Sequence, residues 1–318
     1  MAKVKKSIVK DLKNDLGALM DFFISFKKAQ GTATRTIKDY EVTFNEFKNI
    51  YGSSKIEKQQ LSFAVLEYFK GKSNKAPATF NRPYANLHCF FEWCVNGDYL
   101  DKNPLKELGL KKKKDVGKVR HVEEDVIKKL IDLPTLNTYA GLRDYAIIVL
   151  TLDTGIRPSE AFELVTDDID FMHFTVKIRR ETAKTRVERI LPISHQTAEI
   201  LRRLISVKPD DWDDYLFFTV EGNKMNLNRW QKRLEIYSES IGYKVTPYML
   251  RHTFSILFLR NGGNAFALQT VLGHTDLTMT KRYVKLMEGD VKQQHALATP
   301  VNKFIKRTTR VQKLFKNK

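Results

Sequence analysis

Apolar residues recur every three or four positions through the first hundred residues, a spacing that places them on one face of a helix. The segment from Lys13 to Gln30 has six of them in this register, Leu16, Leu19, Met20, Phe22, Phe23 and Phe26. The same periodicity predicts three further helices, which run from Thr34 to Tyr51, from Leu61 to Lys70 and from Thr79 to Val95. We interpret these aromatic-rich stripes as the core of a helical domain.

The second half of the chain is also mainly helical, with one interruption. Apolar and polar residues alternate over Phe174 to Arg179 and over Val187 to Ile193, and the polar turn Arg180 to Arg186 joins the two segments, which predicts a β-hairpin. Helices are predicted on both sides of the hairpin, over 122–130, 142–153, 158–164, 197–206, 227–241, 247–261, 266–272 and 277–287. The fold class is therefore α+β, mainly α with a small antiparallel β-sheet.

A chain of 318 residues exceeds what one core usually holds, so two domains are expected. The boundary falls near four consecutive lysines, Lys111, Lys112, Lys113 and Lys114, which repel one another and seldom belong to a packed element. We therefore predict a helical domain over 1–108, a basic linker over 109–121, a second domain over 122–296 and a basic tail over 297–318. The lysine run is either a solvated hinge or a linker lying along phosphates, and the net charge favours the second.

The net charge of the chain indicates what kind of molecule this protein binds. Lys and Arg number 55 against 37 Asp and Glu, a net charge of +18, while 42% hydrophobic residues suffice for packed cores. A folded, strongly basic surface makes a polyanion the first partner to consider. The longest apolar stretch, Tyr145 to Leu152, is too short to span a membrane, and the N-terminus lacks the apolar region of a signal peptide. Two cysteines, Cys89 and Cys94, cannot build a disulfide framework, so we expect core thiols and a cytoplasmic location.

Several kinds of chemistry have no motif in this sequence. There is no phosphate-binding P-loop, and no Cys/His set has zinc spacing. The acidic run 210–214 and the pair Asp167-Asp168 could suggest a Mg²⁺ nuclease, but adjacent acids point in different directions, so we interpret both as solvated loops. We expect neither a cofactor nor a metal.

The remaining candidates are basic residues at turns and three tyrosine or histidine side chains. Taken singly, each has an ordinary explanation, such as a surface Arg, a solvated hairpin Lys or a core Tyr. In chain order they are Arg157 in TGIRPSE, Lys184 in ETAKTR, Tyr248 and Arg251 in TPYMLRHTF, His274 in VLGHTDL, and Tyr283 in TKRYVKL. Tyr248 and Arg251 lie three residues apart and share one helix face.

This order of motifs, R-x-x-E, a hairpin Lys, [H/Y]-x-x-R-H, L-G-H and a Tyr nine residues after that His, resembles the tyrosine recombinase (phage integrase) family. The resemblance covers residues of about 120 to 290 with all five motifs in sequence. The helical N-terminal part is similar to that family's SAM-like core-binding domain by architecture alone. The resemblance implies a two-domain, C-shaped clamp on double-stranded DNA whose C-terminal half is the catalytic domain.

The resemblance also implies a role for each candidate. Arg157 and Arg251 would clamp the scissile phosphate, Tyr283 would attack phosphorus to form a 3′-phosphotyrosyl bond, and Lys184 would protonate the departing oxygen. His274 would donate a hydrogen bond to a phosphate oxygen, and Glu160 would orient the site. Because the covalent bond conserves the energy of the broken phosphodiester, rejoining through a Holliday junction needs neither ATP nor a metal. The position of Tyr248 is usually His, and a phenol is a poor proton acceptor near neutral pH.

Function therefore remains open between two main hypotheses. The first is a site-specific recombinase or integrase of a phage or other mobile element, a monomer that assembles as a dimer or tetramer on paired sites in the bacterial nucleoid. The second is a DNA-binding repressor on the same scaffold without catalysis, and a monomeric topoisomerase is a third. DNA contacts are expected from Arg35, Lys38, Arg82 and the run Lys111 to Lys114, and the basic tail either docks on a neighbouring protomer or touches DNA.

Overall fold

The computed structural model describes residues 15–115, 120–276, 279–281, 283, 295–296 and 299–304. The chain divides into two compact units, Met1–Gly117 and Lys118–Lys318. The start of the first predicted helix at Lys13 lies outside the described residues. Of the helix predicted over 277–287, the structure describes only 279–281 and 283, all helical, and of the predicted tail only 299–304.

The first unit is built from helices around an aromatic core. They are α1 (Leu16–Ala29), α2 (Thr34–Tyr51), α3 (Lys58–Lys70), α4 (Pro77–Asn96) and α5 (Pro104–Glu107). The predicted stripes form the core, whose buried aromatic rings include Phe23, Phe44, Phe47, Phe90 and Phe91. Two members of the first stripe are outside it, since Phe22 and Phe26 are 44% and 37% exposed. Cys94 is buried and Cys89 partly buried, both as free thiols.

The segment 109–115 belongs to the first unit, although the sequence analysis assigns it to the linker. The Tyr84 hydroxyl donates to the carbonyl of Leu110 at 2.9 Å. The Asn81 side chain accepts from the backbone N–H of Lys113 at 2.8 Å and donates to the Lys113 carbonyl at 2.9 Å. These bonds hold the chain against α4, so the predicted boundary at 108 is several residues too early.

The second unit surrounds the apolar helix α7. Its helices are α6 (Glu124–Asp132), α7 (Tyr139–Thr154), α8 (Pro158–Ala161), α9 (His195–Ser206), α10 (Leu227–Ile241), α11 (Pro247–Arg260), α12 (Ala265–Leu272) and α13 (Val301–Phe304). Helix α7 packs against α9 and α11, while α12 contacts both α11 and the sheet. The bounds of α10 agree with the prediction, whereas α8 ends three residues earlier than predicted.

A three-stranded antiparallel sheet lies within the second unit, in the order β1 (Ile169–Asp170), β2 (Thr175–Ile178) and β3 (Arg189–Pro192). The hairpin prediction is confirmed, with Val176 opposite Leu191. The strands are shorter than predicted, so the connection spans 179–188. Strand β1 was missed because two residues are too few for alternation to be recognised.

A buried carboxylate fixes α10 against α7. Asp144 is fully buried and accepts from Arg143, from Arg233 Nε at 2.7 Å and from the Tyr237 hydroxyl at 2.8 Å. An ionised carboxylate is stable in such a place only when it is paired in this way. The position of α10 is therefore set by polar bonds as well as by its apolar face.

Candidate active site

Glu160 is the centre of a buried polar cluster in the second unit. Pro158 begins α8, where its missing N–H costs nothing, and this places Arg157 at the N-cap and Glu160 within the first turn. Glu160 is 1% exposed. Its carboxylate accepts from Arg157 Nη1 at 3.1 Å and from the Arg157 backbone N–H at 3.4 Å. The R-x-x-E motif is thus a short-range arrangement in which the acid fixes the arginine.

Arg189 is a second partner of Glu160, and the sequence analysis missed it. Its Nη1 and Nη2 donate to the carboxylate at 3.3 and 2.5 Å. On β3 the buried positions are Arg189 and Leu191, while Ile190 between them is 61% exposed. Arg189 falls on the same face of β3 as Leu191, and alternation shows that these two share a face without showing that this face is the buried one.

Arg251 is buried on α11, where it faces the end of α7 and the end of α12. Its Nη1 donates to the carbonyl of Gly155 and its Nη2 to the carbonyl of Leu272 at 2.9 Å. The same Nη2 lies 3.4 Å from Nε2 of His274. Two of the predicted site residues are therefore in direct contact.

Three arginines share the C-terminal end of α12. Arg189 Nε donates to the carbonyl of Val271 at 3.0 Å, Arg251 to that of Leu272, and Arg157 Nη2 to that of Gly273 at 3.0 Å. These carbonyls have no partner within the helix, and the helix dipole is negative at this end. Gly273 ends the helix in the left-handed conformation, with φ of 60°. The L-G-H motif thus builds an acceptor site that gathers cations.

The electrostatics of the cluster differ from group to group. Burial lowers the pKa of Arg251, and the nearby charge of Arg157 adds to this, giving a value of about 9, so the guanidinium is still charged at neutral pH. Burial alone would raise the pKa of Glu160, but the hydrogen bonds and charge of Arg189 outweigh it and lower that pKa. Burial and the charges of Arg251 and Arg157 lower the pKa of His274 to about 4. The imidazole is therefore neutral at pH 7.

The tautomer of His274 follows from its partners. Since Arg251 can only donate, Nε2 accepts, and Nδ1 donates to the Thr280 hydroxyl at 3.0 Å. The backbone N–H of His274 donates to the carbonyl of Gln269 at 3.1 Å, and the Gln269 amide donates back to the His274 carbonyl at 3.3 Å. The ring is therefore fixed in position beside the arginines.

Lys184 lies in the connection between β2 and β3, next to the cluster through its backbone. Its N–H donates to Glu160 Oε1 at 3.3 Å, while its side chain is exposed. An exposed ammonium on an anchored backbone can reach a molecule that binds over the arginines.

Tyr283 lies against the cluster but is 3% exposed. Its ring stacks parallel to that of His274, with the centroids 6.5 Å apart, and packs in an apolar group with Phe254 and Leu272. Its hydroxyl oxygen lies 2.7 Å from Nδ1 of His252. His252 directly follows Arg251, so its side chain points about 100° away from that of Arg251 on the helix. That rotation is what directs it to Tyr283.

Tyr248 is separate from the arginine cluster, with 46% of its surface exposed. It lines a cavity of about 580 Å³ together with Arg120, His121, Glu123, Tyr243, Lys244, Thr246, Met249 and His252. Although Tyr248 and Arg251 share a helix face, the Tyr248 hydroxyl takes part in none of the hydrogen bonds described above for Arg251.

The predicted DNA-binding residues lie on the first unit, and most of them are exposed. Arg35 and Arg82 both approach Asp39, at 3.8 and 3.7 Å, and Lys38 is exposed beside them. Lys111, Lys112 and Lys114 are exposed as well. This group is compatible with contact to a large anion.

Lys113 differs from the other three lysines of the run. Its ammonium donates to the carbonyls of Lys72, Ser73 and Lys75, at 3.5 Å to the first and 2.8 Å to the last, and lies 4.9 Å from the centre of the Phe80 ring. It therefore closes the turn between α3 and α4, and the expectation that it lies along phosphates does not fit these contacts.

The described residues contain neither a candidate metal site nor a candidate membrane span. No group of three or more His, Cys, Asp or Glu side chains within them could hold a metal ion. None of the helices they form is long and apolar enough to cross a membrane.

Helices around a small antiparallel sheet are the fold of tyrosine recombinase catalytic domains. The chain belongs to the phage integrase family, whose model matches residues 120–289, more than half of its length. It is 27% identical over 300 residues to the tyrosine recombinase XerC of Myxococcus xanthus, covering 89% of this chain and 97% of that one. It is also 27% identical over 295 residues to the tyrosine recombinase XerD of Lacticaseibacillus casei, covering 89% and 96%.

Solved structures share the fold at lower identity. A lambda integrase dimer bound to a COC′ core site matches with a TM-score of 0.70 and 15% identity, over 88% of this chain and 80% of that one. The Tn1549 transposon integrase in complex with transposon right end DNA matches with a TM-score of 0.66 and 19% identity, over 86% and 98%. Both of these proteins are bound to DNA in their structures.

Proposed function

We propose that this protein is a site-specific DNA recombinase that cleaves and rejoins DNA through a 3′-phosphotyrosyl intermediate. The observation that carries the proposal is the meeting of Arg157, Arg251 and His274 at the end of α12, beside the ring of Tyr283. A phosphodiester is an anion and repels a nucleophile until its charge is neutralised. Two charged guanidiniums on rigid supports supply that neutralisation, and the neutral His274 ring packs beside them.

The arginines bind the scissile phosphate. A guanidinium has five N–H donors, so each arginine can donate to a carbonyl at the end of α12 and still donate to phosphate oxygens. As the phosphorus becomes five-coordinate its oxygens gain charge, and donors fixed in advance stabilise this state by roughly 3–4 kcal/mol each. Glu160 keeps Arg157 and Arg189 in place and takes no part in the bond changes.

Tyr283 is the nucleophile and Lys184 the acid. The phenolic oxygen forms a bond to phosphorus, and the bond from phosphorus to the 5′-oxygen breaks. That oxygen takes a proton from the Lys184 ammonium. A buried Tyr283 must expose its hydroxyl to the phosphate before it attacks. Attack by the 5′-hydroxyl of a second strand reverses these steps, so strand exchange through a Holliday junction consumes neither ATP nor a metal ion.

DNA binding uses both units. Arg35, Lys38 and Arg82 on α2 and α4, with Lys111, Lys112 and Lys114, contact the duplex from the first unit, which serves as the core-binding domain. The net charge of +18 supports this assignment. The protein is a monomer without DNA and assembles as a dimer or tetramer on paired sites.

Recombination between two copies of the target site tests the proposal. The site is first selected from random-sequence duplexes, and two copies are then placed in one plasmid, incubated with EDTA and without ATP. Wild type should excise or invert the intervening DNA. Arg251→Lys, which keeps the charge and loses the two-point donor, should reduce the rate by about 100-fold. Arg260→Lys, at the exposed end of the same helix, is the matched control.

The buried hydroxyl of Tyr283 favours a second candidate, a DNA-binding regulator without catalysis. In the same assay a regulator would bind the selected site and yield no recombinant product at any protein concentration. That outcome would replace the recombinase proposal.

A further inference from the structure

His252 and Tyr283 make a hydrogen bond that the family motif does not assign. Nδ1 of the imidazole lies 2.7 Å from the phenolic oxygen, and the ring centroids are 5.8 Å apart. His252 is half-buried on α11, so its ring is covered on the side of Tyr283 and reaches the cavity described above on the other. A nitrogen base is thus in contact with the oxygen that the proposed reaction uses as its nucleophile.

His252 and Tyr248 are neighbours on one face of α11. His252 follows Tyr248 by four residues, so the two side chains lie one turn apart on one face, and both line the same cavity. Tyr248 occupies the position at which the family usually has His. A phenol with a pKa of ~10 accepts a proton poorly at neutral pH, whereas an imidazole, at ~6.5, accepts one readily. His252, one turn further along, brings an imidazole to the same cavity and to the Tyr283 hydroxyl.

We infer that His252 is the general base that takes the proton of Tyr283 during cleavage. The inference rests on the proposed function, since it needs Tyr283 to be the nucleophile. His252 contacts the reacting atom itself and would act as a catalytic residue.

The proton balance of the step is complete. As the Tyr283 oxygen bonds to phosphorus, its proton passes to Nδ1 of His252, and the resulting imidazolium carries the positive charge. The departing 5′-oxygen receives its proton from Lys184. In the rejoining step the attacking 5′-hydroxyl gives its proton to Lys184, and His252 returns the first proton to the phenolate of Tyr283. No other reactant is required.

Charged and titratable groups face His252 from several parts of the chain. The ring contacts Tyr283 on one side, Tyr248 precedes it by one turn of α11, and the cavity wall adds Arg120, His121, Glu123, Tyr243 and Lys244. The acid Glu123 lies 3.1 Å from His121, so part of its charge is directed to that ring. The cavity leaves the side of the His252 ring away from Tyr283 partly exposed.

The test uses His252→Asn in the full-length protein. The Asn oxygen stands near the position of Nδ1 and keeps a hydrogen-bond acceptor for Tyr283, but it is not a base. We expect unchanged affinity for the selected site and a rate of covalent adduct formation on a nicked duplex about 100-fold lower at pH 7. Below the phenol pKa the variant's rate should rise about tenfold per pH unit, because the phenolate fraction does, while the wild-type rate should depend less on pH because a base already contacts the phenol. A fluorinated tyrosine at position 283, whose phenol is more acidic, should restore part of the rate.

The controls separate this inference from the proposed function. His121→Asn makes the same change in the same cavity away from Tyr283 and should keep the wild-type pH profile. If His252→Asn matches wild type in rate and profile, His252 is not the base, although Tyr283 still forms the adduct. A faster variant would also overturn the inference and would mean that the bond restrains Tyr283. No adduct in wild type at any pH would end both proposals.

Discussion

Arg189 lies so close to Gly273 that a β-carbon at position 273 would meet the Cδ, Nε and Cζ atoms of the arginine at 3.2 Å each. Gly273 is in addition left-handed, with φ of 60°. The glycine therefore serves two purposes, since it turns the chain at the end of α12 and leaves room for a guanidinium that donates to the last turn.

Gly273→Ala should impair stability and activity together. Its left-handed backbone costs about 1–2 kcal/mol with a β-carbon, and the close contact displaces Arg189 from Glu160 and Val271. Urea unfolding and the recombination rate measure the two effects. Gly242→Ala is the matched control, because Gly242 has φ of 70° with nothing within 4 Å of its added β-carbon. Equal losses in both variants would mean that the contact with Arg189 has no effect.

Glu160→Gln should destabilise the second unit by about 3 kcal/mol at pH 7, because it leaves buried arginines without their counter-charge. The folded-state pKa of Glu160 is lowered, so its contribution is fully present above about pH 4.5 and is lost as the pH falls through the lowered value. Denaturant unfolding at pH 7 and at pH 3 should show the difference from wild type shrinking at the lower pH. Glu199→Gln, on the exposed face of α9, should change stability little at either pH.

The lowered pKa of His274 predicts that the protein loses stability as the pH falls from 6.5 to 4. Its pKa falls from 6.5 in the unfolded chain to about 4 in the folded one, so the unfolded state binds the proton first as the pH is lowered. Stability from this residue is therefore complete above pH 6.5 and is lost between 6.5 and 4. The free energy of unfolding of His274→Gln, measured across this range, should fall less steeply than that of wild type. Parallel curves would show that the imidazole is not held neutral.

The lysine run should divide into two kinds of residue. Alanine at Lys111, Lys112 or Lys114 should each reduce the slope of log binding constant against log salt by about 1, since each removes a phosphate contact. Alanine at Lys113 should instead lower the free energy of unfolding by roughly 1 kcal/mol, because backbone carbonyls of the turn between α3 and α4 lose their donor. Filter binding over a salt series and urea unfolding on the same proteins distinguish the two. A reduced salt slope with unchanged stability for Lys113→Ala would contradict the contacts described here.

Much of the fold could be predicted from the sequence because long periodic elements carry their own signal. The aromatic stripes of α2 and α4 and the bounds of α10 follow from helical spacing, and the hairpin follows from alternation. Arg189 was missed because alternation alone does not say which face of a strand is buried. In β3 the exposed residue is Ile190 and the buried one is the arginine, and this is decided by Glu160, 29 residues away along the chain.

The motif residues were predicted as a set, but their pairings were not. Motif spacing led to Arg157, Arg251, His274 and Tyr283, but it carries no information about the carbonyls of α12 that hold the arginines. Lys113 and His252 show the same limit. The charge of Lys113 predicted a contact with DNA, whereas its ammonium binds backbone carbonyls of the first unit. The helix rotation predicted that His252 points away from Arg251, but it could not predict that Tyr283 lies against His252.

Covalent capture of DNA tests the central claim most directly. A duplex of the selected site carries a nick just downstream of the cleavage point, so that cleavage releases a short fragment with a free 5′-hydroxyl, which diffuses away. It is incubated with wild type and with Tyr283→Phe in EDTA without ATP. We expect wild type to retain the strand through its 3′-phosphate in denaturing gels and mass spectrometry to map the link to Tyr283. Tyr283→Phe should bind equally and capture nothing. Capture by the Phe variant, or a link at another residue, would contradict this claim.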